Sequence, residues 1–230
     1  MPEASDRPEL PAICIVPAAG RSSRMGDWKP LLPWSSSTII ETVISTIQQS
    51  ANIPLIVCGW RGAELRERLS RHTDLLLVDN PLWEQGMLGS VRLGIQEAAR
   101  IVDSQQADYC RNGCLVVPAD MPLLSAEIIR KLLTTAGADS ISRPGQAASK
   151  APSPRSIFPV YQNQAGHPVW ISYELLPEME KLQPSERLRP FLTGKAYSTM
   201  EWPDDSILQD IDTPETYCRL RQQAELKAQP

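Results

Sequence analysis

The sequence predicts an α/β fold in three layers, with helices on both faces of a mostly parallel sheet. Ile13–Val16 and Cys114–Pro118 are short, continuous apolar runs, which are typical of strands buried on both faces of a parallel sheet. Thr38–Ser50 has apolar residues at helical spacing and is followed by another apolar run at Asn52–Gly59. A strand–helix–strand unit of this kind implies parallel strands joined by a right-handed crossover.

The later segments continue this alternation. Ala63–Arg71 is a charged segment that predicts an exposed helix, and Asp74–Val78 predicts the third strand. Ala126–Thr135 predicts a helix after the strand that ends at Pro118. We expect one antiparallel addition to the sheet near Val160–Ser172. We therefore expect a mixed sheet in which parallel pairs dominate.

The length and composition predict one domain over residues 12–220. A chain of 230 residues that is 42% hydrophobic has enough apolar content for a full core. Residues 1–11 are polar and proline-rich, and we predict a disordered lead there. Residues 139–158 are rich in Ser, Pro, Ala and Gly, which predicts a flexible insertion. Residues 221–230 are expected to fray.

The charge, hydropathy and cysteine content bear on whether the protein binds nucleic acid, spans a membrane or is cytoplasmic. A net charge of −4 leaves no basic excess to neutralise a nucleic-acid backbone, so nucleic acid is excluded as the main partner. No apolar run of about 18 residues occurs, so we expect no membrane span. Five cysteines without an export signal predict a cytoplasmic location. Cys110 and Cys114 are interpreted as two reduced thiols rather than half of a metal site, because no second Cys/His pair accompanies them.

A candidate phosphate-binding loop follows the first predicted strand. Pro17–Gly20 consists of small residues, and three cations follow it: Arg21, Arg24 and Lys29. Backbone N–H groups at a strand end form a concave anion site, and basic side chains neutralise the bound charge. The spacing matches neither G-x-G-x-x-G nor G-x-x-x-x-G-K-[ST]. From these residues alone, a glycine-rich turn that binds nothing remains the alternative.

The same loop resembles the signature of the MobA-like nucleotidyltransferases, and most closely that of the molybdenum cofactor cytidylyltransferase branch. The matching sequence is Ala-Ala-Gly-Arg-Ser-Ser-Arg-Met-Gly over Ala18–Gly26, then Lys29 and Leu31-Leu32. In that family the loop wraps the triphosphate of an NTP. The resemblance implies a Rossmann-like nucleotidyltransferase fold. It also implies nucleotide binding by Ala18, Ala19, Gly20, Arg21, Ser22, Ser23, Arg24, Met25, Gly26 and Lys29.

A second segment matches the family at the spacing N-x5-G-x3-S-x3-G. Asn80, Gly86, Ser90 and Gly94 occupy these positions. In the family this loop passes over the nucleotide base, which implies a nucleotide-binding role for the first three. The alternative is a loop and helix N-terminus with a tightly packed glycine.

Three aspartates are candidate metal ligands. Asp120 follows a central parallel strand, where open α/β sheets bind ligands, and the family's Gly-Asp-Met-Pro aspartate holds Mg²⁺ at this point. The glycine is Ala119 here. Asp210 and Asp212 face the same way on an extended chain. We expect one of them to be a second metal ligand, and either Asp212 or Thr213 to cap the helix that follows.

The candidate acceptor site lies within Pro159–Ser172, which resembles the family's P-x-Y…G-H-P-V element. The matching residues imply acceptor binding by Tyr161, Gly166, His167 and Pro168. For His167 we favour a shape or hydrogen-bonding role over a general base, because a phosphate acceptor attacks as an anion. Gln183–Arg189 replaces the Gly-Asp-x-Gly-Ala-Arg stretch of cytidylyltransferases, and only its arginine and the following apolar pair match. This departure leaves the identity of the acceptor open.

The resemblance implies a reaction. CMP would pass from CTP to a phosphorylated acceptor, the molybdenum-bearing pterin, and pyrophosphate would leave. Arg24, Lys29 and Asp120 would be catalytic, with Mg²⁺, or Mn²⁺ as the alternative. Ala-Ala-Gly accompanies cytidine in the family and Ala-Gly-Gly accompanies guanosine, so Ala19 favours CTP.

Other interpretations stay open at this point. One is a guanylyltransferase, or another transferase acting on a sugar phosphate, methylerythritol phosphate or cobinamide phosphate. Another is a non-catalytic nucleotide-binding protein that delivers a cofactor. The expected partners are CTP and the phosphorylated pterin, with a molybdoenzyme or a chaperone as a protein partner.

Overall fold

The structure is a computed structural model and describes residues 11–23, 25–104, 110, 112–140 and 154–227, without the side chains of 138–140 and 227. The strands are β1 (Ile13–Pro17), β2 (Pro33–Trp34), β3 (Ser37–Thr38), β4 (Ile53–Cys58), β5 (Leu76–Asp79), β6 (Gly113–Val116), β7 (Ser156–Tyr161), β8 (Gln164–Ala165), β9 (Val169–Ser172) and β10 (Tyr197–Glu201). The α-helices are α1 (Ile39–Gln49), α2 (Gly62–Leu69), α3 (Met87–Ser104), α4 (Ala126–Ser140), α5 (Leu176–Met179), α6 (Leu188–Thr193) and α7 (Pro214–Lys227).

The main sheet has the strand order β10-β7-β9-β6-β1-β4-β5, and β8 pairs with β7 at its side. β1 is parallel to both β4 and β6, and β4 is parallel to β5. β9 is antiparallel to β6 and β7, whereas β7 and β10 are parallel. The predicted mostly parallel sheet is confirmed, and its antiparallel strand lies inside Pro159–Ser172, as expected.

Alternate residues of the central strand point into different layers, which is why its run is continuously apolar. Cys14 and Val16 pack in one cluster with residues of α1, α2 and α4. Ile13 and Ile15 pack in the other cluster with residues of α3, α5 and α6. The helices therefore cover both faces of the sheet, and the three-layer prediction is confirmed.

Two local features of the helices position the central strands. Helix α1 begins with a capping box, in which the Glu41 carboxylate accepts from the Thr38 amide at 3.0 Å and the Glu41 amide donates to the Thr38 hydroxyl at 3.4 Å. Helix α3 lies directly on the sheet at Gly94, where a Cβ atom would come within 2.4 Å of Ile15 Cγ2. Gly94 is thus the tightly packed glycine that the sequence offered as one interpretation.

The segments predicted to be irregular are more ordered at their ends than expected. Helix α4 continues to Ser140 and β7 begins at Ser156, so both ends of the predicted 139–158 insertion are regular; residues 141–153 lie outside the described residues. Of the tail 221–230 that we predicted to fray, residues 221–227 belong to α7 in the structure. There Leu220 is buried, and Arg221 pairs with Glu225 at 3.1 Å.

The predicted disordered lead, residues 1–11, lies outside the described residues except for Pro11. The Pro11 carbonyl accepts from the Cys110 amide at 3.1 Å. All five cysteines are free, as the sequence predicted for Cys110 and Cys114. Within the described parts of the chain, no helix combines the length and the apolar character that a membrane span requires.

Candidate active site

A cavity of about 530 Å³ opens at the carboxyl ends of β1 and β6. Its walls come from the loops after these strands, the turn between β8 and β9, the start of α6 and segment 207–212. Loops that follow parallel strands meet at one edge of the sheet, so residues distant in sequence converge there. We call its two parts the Lys29 end, with Lys29, Asp120 and Asp212, and the Arg189 end, with Gly166, His167 and Arg189.

The Lys29 end is built around one buried ammonium group. Lys29 Nζ donates to Asp120 Oδ2 at 2.9 Å and to Asp212 Oδ1 at 2.6 Å, and the lysine side chain is only 11% exposed. Burial by itself lowers the pKa of Lys29, but the two carboxylates outweigh burial and leave the pKa raised. Lys29 is therefore a fixed positive charge between two negative ones.

The segment with the two C-terminal aspartates is tied directly to the loop after β6. The amide of buried Ile211 donates to the Asp120 carbonyl at 3.0 Å, and both Asp210 and Asp212 border the cavity. The cap of α7 is Thr213, whose hydroxyl accepts from the Thr216 amide at 3.2 Å. Of the two predicted caps, the structure therefore supports Thr213, and Asp212 contacts Lys29.

Three carboxylates at one cavity have the oxygen donors that Mg²⁺ prefers. Burial, and then the negative charges of Asp212 and Asp120, raise the pKa of Asp210. Among the described residues, however, no group of three or more His, Cys, Asp or Glu side chains is arranged to hold a metal. The donor set fits a cation that keeps part of its shell as water or phosphate oxygen, as Mg²⁺ commonly does.

The loop after β1 is held by one backbone–backbone hydrogen bond and two hydrogen bonds between a side chain and the backbone. The Ala19 carbonyl accepts from the Trp60 amide at 3.1 Å, and the Gly20 carbonyl accepts from Trp28 Nε1 at 3.1 Å. The Ser22 hydroxyl accepts from the Lys29 amide at 3.1 Å. Ala18, Gly20, Ser22 and Ser23, four of the residues predicted to bind nucleotide, line the cavity together with Lys29. Arg24 lies outside the described residues.

Four residues of the signature do not line the cavity. The Arg21 guanidinium carbon lies 4.4 Å from the ring centroid of Trp60 and 5.1 Å from that of Trp83, and the side chain is 55% exposed. Met25 is buried in a cluster with Trp34 and Ile211 because its side chain is apolar. Ala19 is buried, and Gly26 (φ 76°) forms a turn.

The residues of the second segment bind one another. Asn80 Nδ2 donates to Ser90 Oγ at 2.9 Å, Asn80 Oδ1 accepts from the Leu82 amide at 3.0 Å, and both side chains are buried. Gly86 has φ 103°, a value that favours glycine. These residues shape the loop without lining the cavity. Met87, which the sequence interpretation missed, lines the cavity and is 74% exposed.

Of the predicted acceptor residues, only Gly166 and His167 reach the cavity. Tyr161 packs against the core, and Pro168 is buried outside the cavity wall. The His167 amide donates to the Ile207 carbonyl at 2.9 Å, which fixes the turn. Burial, and then the charge of Arg189, lower the pKa of His167 to about 4. The imidazole is therefore neutral near pH 7.

Arg189 was not predicted as a site residue. It lies in α6, and Nη1 donates to the Ala165 carbonyl at 2.5 Å beside His167. The signal was present, because this arginine is part of the stretch where the sequence otherwise departs from the cytidylyltransferase pattern.

A family model of the MobA-like NTP transferase domain matches residues 14–200. The chain belongs to the MobA-like NTP transferase family. This MobA-like chain is 31% identical over 210 residues to the molybdenum cofactor cytidylyltransferase of Escherichia coli (strain K12), and the match covers 91% of the chain and 95% of the relative. The predicted enzyme class, nucleotidyltransferase, and the resemblance to the cytidylyltransferase branch are confirmed.

This MobA-like chain also resembles a guanylyltransferase in sequence and a nucleotidyl transferase in fold. It is 37% identical over 125 residues to a molybdenum cofactor guanylyltransferase from Xanthomonas euvesicatoria pv. vesicatoria (strain 85-10), covering 54% of the chain and 55% of that relative. Its fold matches a nucleotidyl transferase from Methanothermobacter thermautotroptrophicus with a TM-score of 0.70 at 20% identity, covering 92% of the chain and 97% of that structure.

Proposed function

We propose that this MobA-like enzyme transfers CMP from CTP to a phosphorylated acceptor, the molybdenum-bearing pterin, and releases pyrophosphate. The observation that supports it best is the placement of Lys29 between Asp120 and Asp212, directly beside the loop of Ala18–Ser23. The cytidylyltransferase relative in Escherichia coli, aligned over 91% of the chain, supports the choice of CTP and of the acceptor.

The residues at the Lys29 end suit phosphoryl chemistry. The acceptor phosphate attacks the α-phosphorus of CTP, and the bond to pyrophosphate breaks as negative charge grows on the departing oxygens. This reaction needs positioned N–H dipoles and cations rather than a nucleophilic side chain. The amides of the Ala18–Ser23 loop and Lys29 would face the triphosphate. Arg24, outside the described residues, is proposed as a second cation there.

A divalent cation, Mg²⁺ or alternatively Mn²⁺, would neutralise triphosphate charge and orient the α-phosphate when bound. We propose Asp120 as its first carboxylate ligand, with Asp210 or Asp212 as the second. Asp120 and Asp212 both contact Lys29 in this structure, so the carboxylates that would hold the cation also position the lysine ammonium. Lys29 would bind a phosphate oxygen of the nucleotide from this position.

The deciding experiment is the thermal stability of the purified protein with CTP, GTP, ATP or UTP, each with and without Mg²⁺. A nucleotide at about 100 times its Kd stabilises the folded state by about 2.7 kcal/mol. We expect a Mg²⁺-dependent shift with CTP only, which Asp120→Asn abolishes. Glu127→Gln is the matched control, because this exposed carboxylate of α4 does not line the cavity.

Two outcomes would contradict the proposal. A shift with GTP rather than CTP would favour a guanylyltransferase, which the Xanthomonas relative keeps as the second candidate. The absence of a shift with every nucleotide would contradict transfer from an NTP. A cytoplasmic location, which suits five free cysteines, and delivery of the product to a molybdoenzyme or chaperone are further parts of the proposal.

A further inference from the structure

The Arg189 end has a cation that is held in place by uncharged groups. Arg189 Nη1 donates to the Ala165 carbonyl at 2.5 Å, and the guanidinium carbon lies 5.9 Å from the ring centroid of Phe158. These two contacts fix the plane of the guanidinium. A guanidinium has five N–H donors, so most of its hydrogen-bonding capacity is left for a ligand.

The two cations of the described cavity wall differ in their charge balance. Lys29 is bound to two carboxylates, whereas no carboxylate of the described residues forms an ion pair with Arg189. An unneutralised guanidinium at a cavity wall is suited to a phosphate, which it binds through two parallel N–H···O bonds. Arg189 is exposed to solvent, so a ligand phosphate would replace water at its free N–H groups rather than displace a carboxylate of the protein.

His167 supplies an independent observation. Its Nδ1 atom is buried and has no hydrogen-bond partner among the described residues, although the residue lines the cavity. Six other side-chain atoms of the described residues are also buried without a partner, and Nδ1 itself has almost no accessible surface, so the argument for His167 rests on its place in the cavity wall beside Arg189. A neutral imidazole beside Arg189 would add one uncharged hydrogen bond to the same ligand.

The rest of this wall is apolar. Its described lining includes Val91, Val116, Leu188 and Ile207. The side-chain hydroxyls and carboxylates of the described cavity wall lie at or beside the Lys29 end: Ser22, Ser23, Asp120, Asp210 and Asp212. A ligand with many hydroxyl groups would lose its hydrogen bonds to water there without replacing them. A flat ring system would bury its two faces against such a wall and would need hydrogen bonds only along its edge.

We propose that Arg189, together with His167, binds the phosphate of the acceptor, and that the apolar wall selects acceptors with a flat or apolar body over sugar phosphates. This inference rests on the proposed transfer reaction, which provides the need for a second phosphate site beside the triphosphate. It adds the residues that recognise the acceptor and the chemical class of its body.

The test uses phenyl phosphate as a probe with a flat apolar body and glucose 1-phosphate as a polyhydroxylated probe. Their binding is followed by ³¹P NMR titration of the full chain saturated with CTP and Mg²⁺. Losing a hydrogen-bonded charge costs roughly 1.5–3 kcal/mol, so Arg189→Gln should weaken phenyl phosphate binding by roughly 10- to 100-fold. Arg189→Lys should show a smaller loss, because it keeps the charge but not the paired geometry.

Arg187→Gln is the matched control, because this exposed arginine two positions away does not line the cavity, and it should leave binding within about twofold. Stabilisation by CTP reports on folding and on the Lys29 end, and it should be the same in all variants.

Equal phenyl phosphate affinity in wild type and Arg189→Gln, or no binding to wild type, would overturn the phosphate assignment. Equal affinity for the two probes would overturn the selectivity. If CTP does not stabilise the wild-type protein, that result counts instead against the proposed transfer reaction.

Discussion

The Lys29 end and the Arg189 end of one cavity handle charge in opposite ways. At the Lys29 end, a buried ammonium is neutralised by Asp120 and Asp212 at 2.9 and 2.6 Å. At the Arg189 end, the guanidinium is held by a carbonyl and an aromatic ring, without an ion pair among the described residues. Under the proposed reaction, the Lys29 end would open to a polyphosphate, whereas the Arg189 end would hold the acceptor phosphate without rearranging.

The largest expected effect is at the Lys29 end. Lys29→Met should lower kcat by roughly 10²–10³, because a cation that stabilises developing phosphate charge is lost. Steady-state kinetics of CMP transfer measure it. Lys181→Met, which removes an exposed lysine outside the cavity, should leave kcat within about twofold. A similar kcat in both variants would show that the Lys29 contacts are structural, and the contrast between the two ends would then fail.

The next prediction uses the neutral imidazole at the Arg189 end. The pKa of His167 is about 4 in the folded protein, against 6.5 for an ordinary histidine. Between these values the unfolded chain binds a proton that the folded chain does not, so stability is lost as pH falls from 6.5 towards 4. The loss amounts to about 3 kcal/mol at most.

His167→Asn removes this group, so the stability difference between wild type and variant should change over that pH range and stay constant above it. Urea unfolding at about pH 7, 5.5 and 4.5 measures the difference. A difference that does not vary with pH would mean that His167 is accessible to water and charged at the lower values. The imidazole would then belong to a wet, exposed wall rather than to a ligand site.

The smallest expected effect concerns Arg21, which the signature placed among the nucleotide-binding residues. Because it stacks on Trp60 and Trp83 outside the cavity, Arg21→Ala should change kcat less than about fivefold and cost about 0.5–1 kcal/mol of stability. Kinetics and thermal unfolding of this variant check both. A loss as large as that of Lys29→Met would mean that Arg21 moves onto the triphosphate when CTP binds.

These two ends also differ in how much the sequence could predict. Lys29 and Asp120 follow directly from the signature and from the position of Asp120 after an apolar strand, since carboxyl ends of parallel strands meet at one edge. Sequence spacing left Asp210 and Asp212 equivalent; the contact with Lys29 and the cap by Thr213 separate them. Such contacts depend on tertiary packing, which cannot be predicted from the spacing of the two aspartates in the sequence.

The sequence was less informative about which motif residues have side chains that point into the cavity. Met25 belongs to the signature, yet its apolar side chain packs with Trp34 and Ile211 in the core. Tyr161 matches the acceptor element but lies away from the cavity. Arg189 was missed as a site residue because it belongs to a short helix in the stretch that departs from the family pattern, and only the fold brings it beside His167.

The contact between Lys29 and Asp212 joins residues that are 183 positions apart. During synthesis on a ribosome, the strands β1, β4 and β6 emerge long before Asp212 does. A nascent chain that has already folded around these strands still has Lys29 without its second carboxylate, and Asp120 lacks the amide of Ile211. The Lys29 end is therefore completed only once segment 210–212 has been synthesised, and a chain that stops before this segment would lack both contacts.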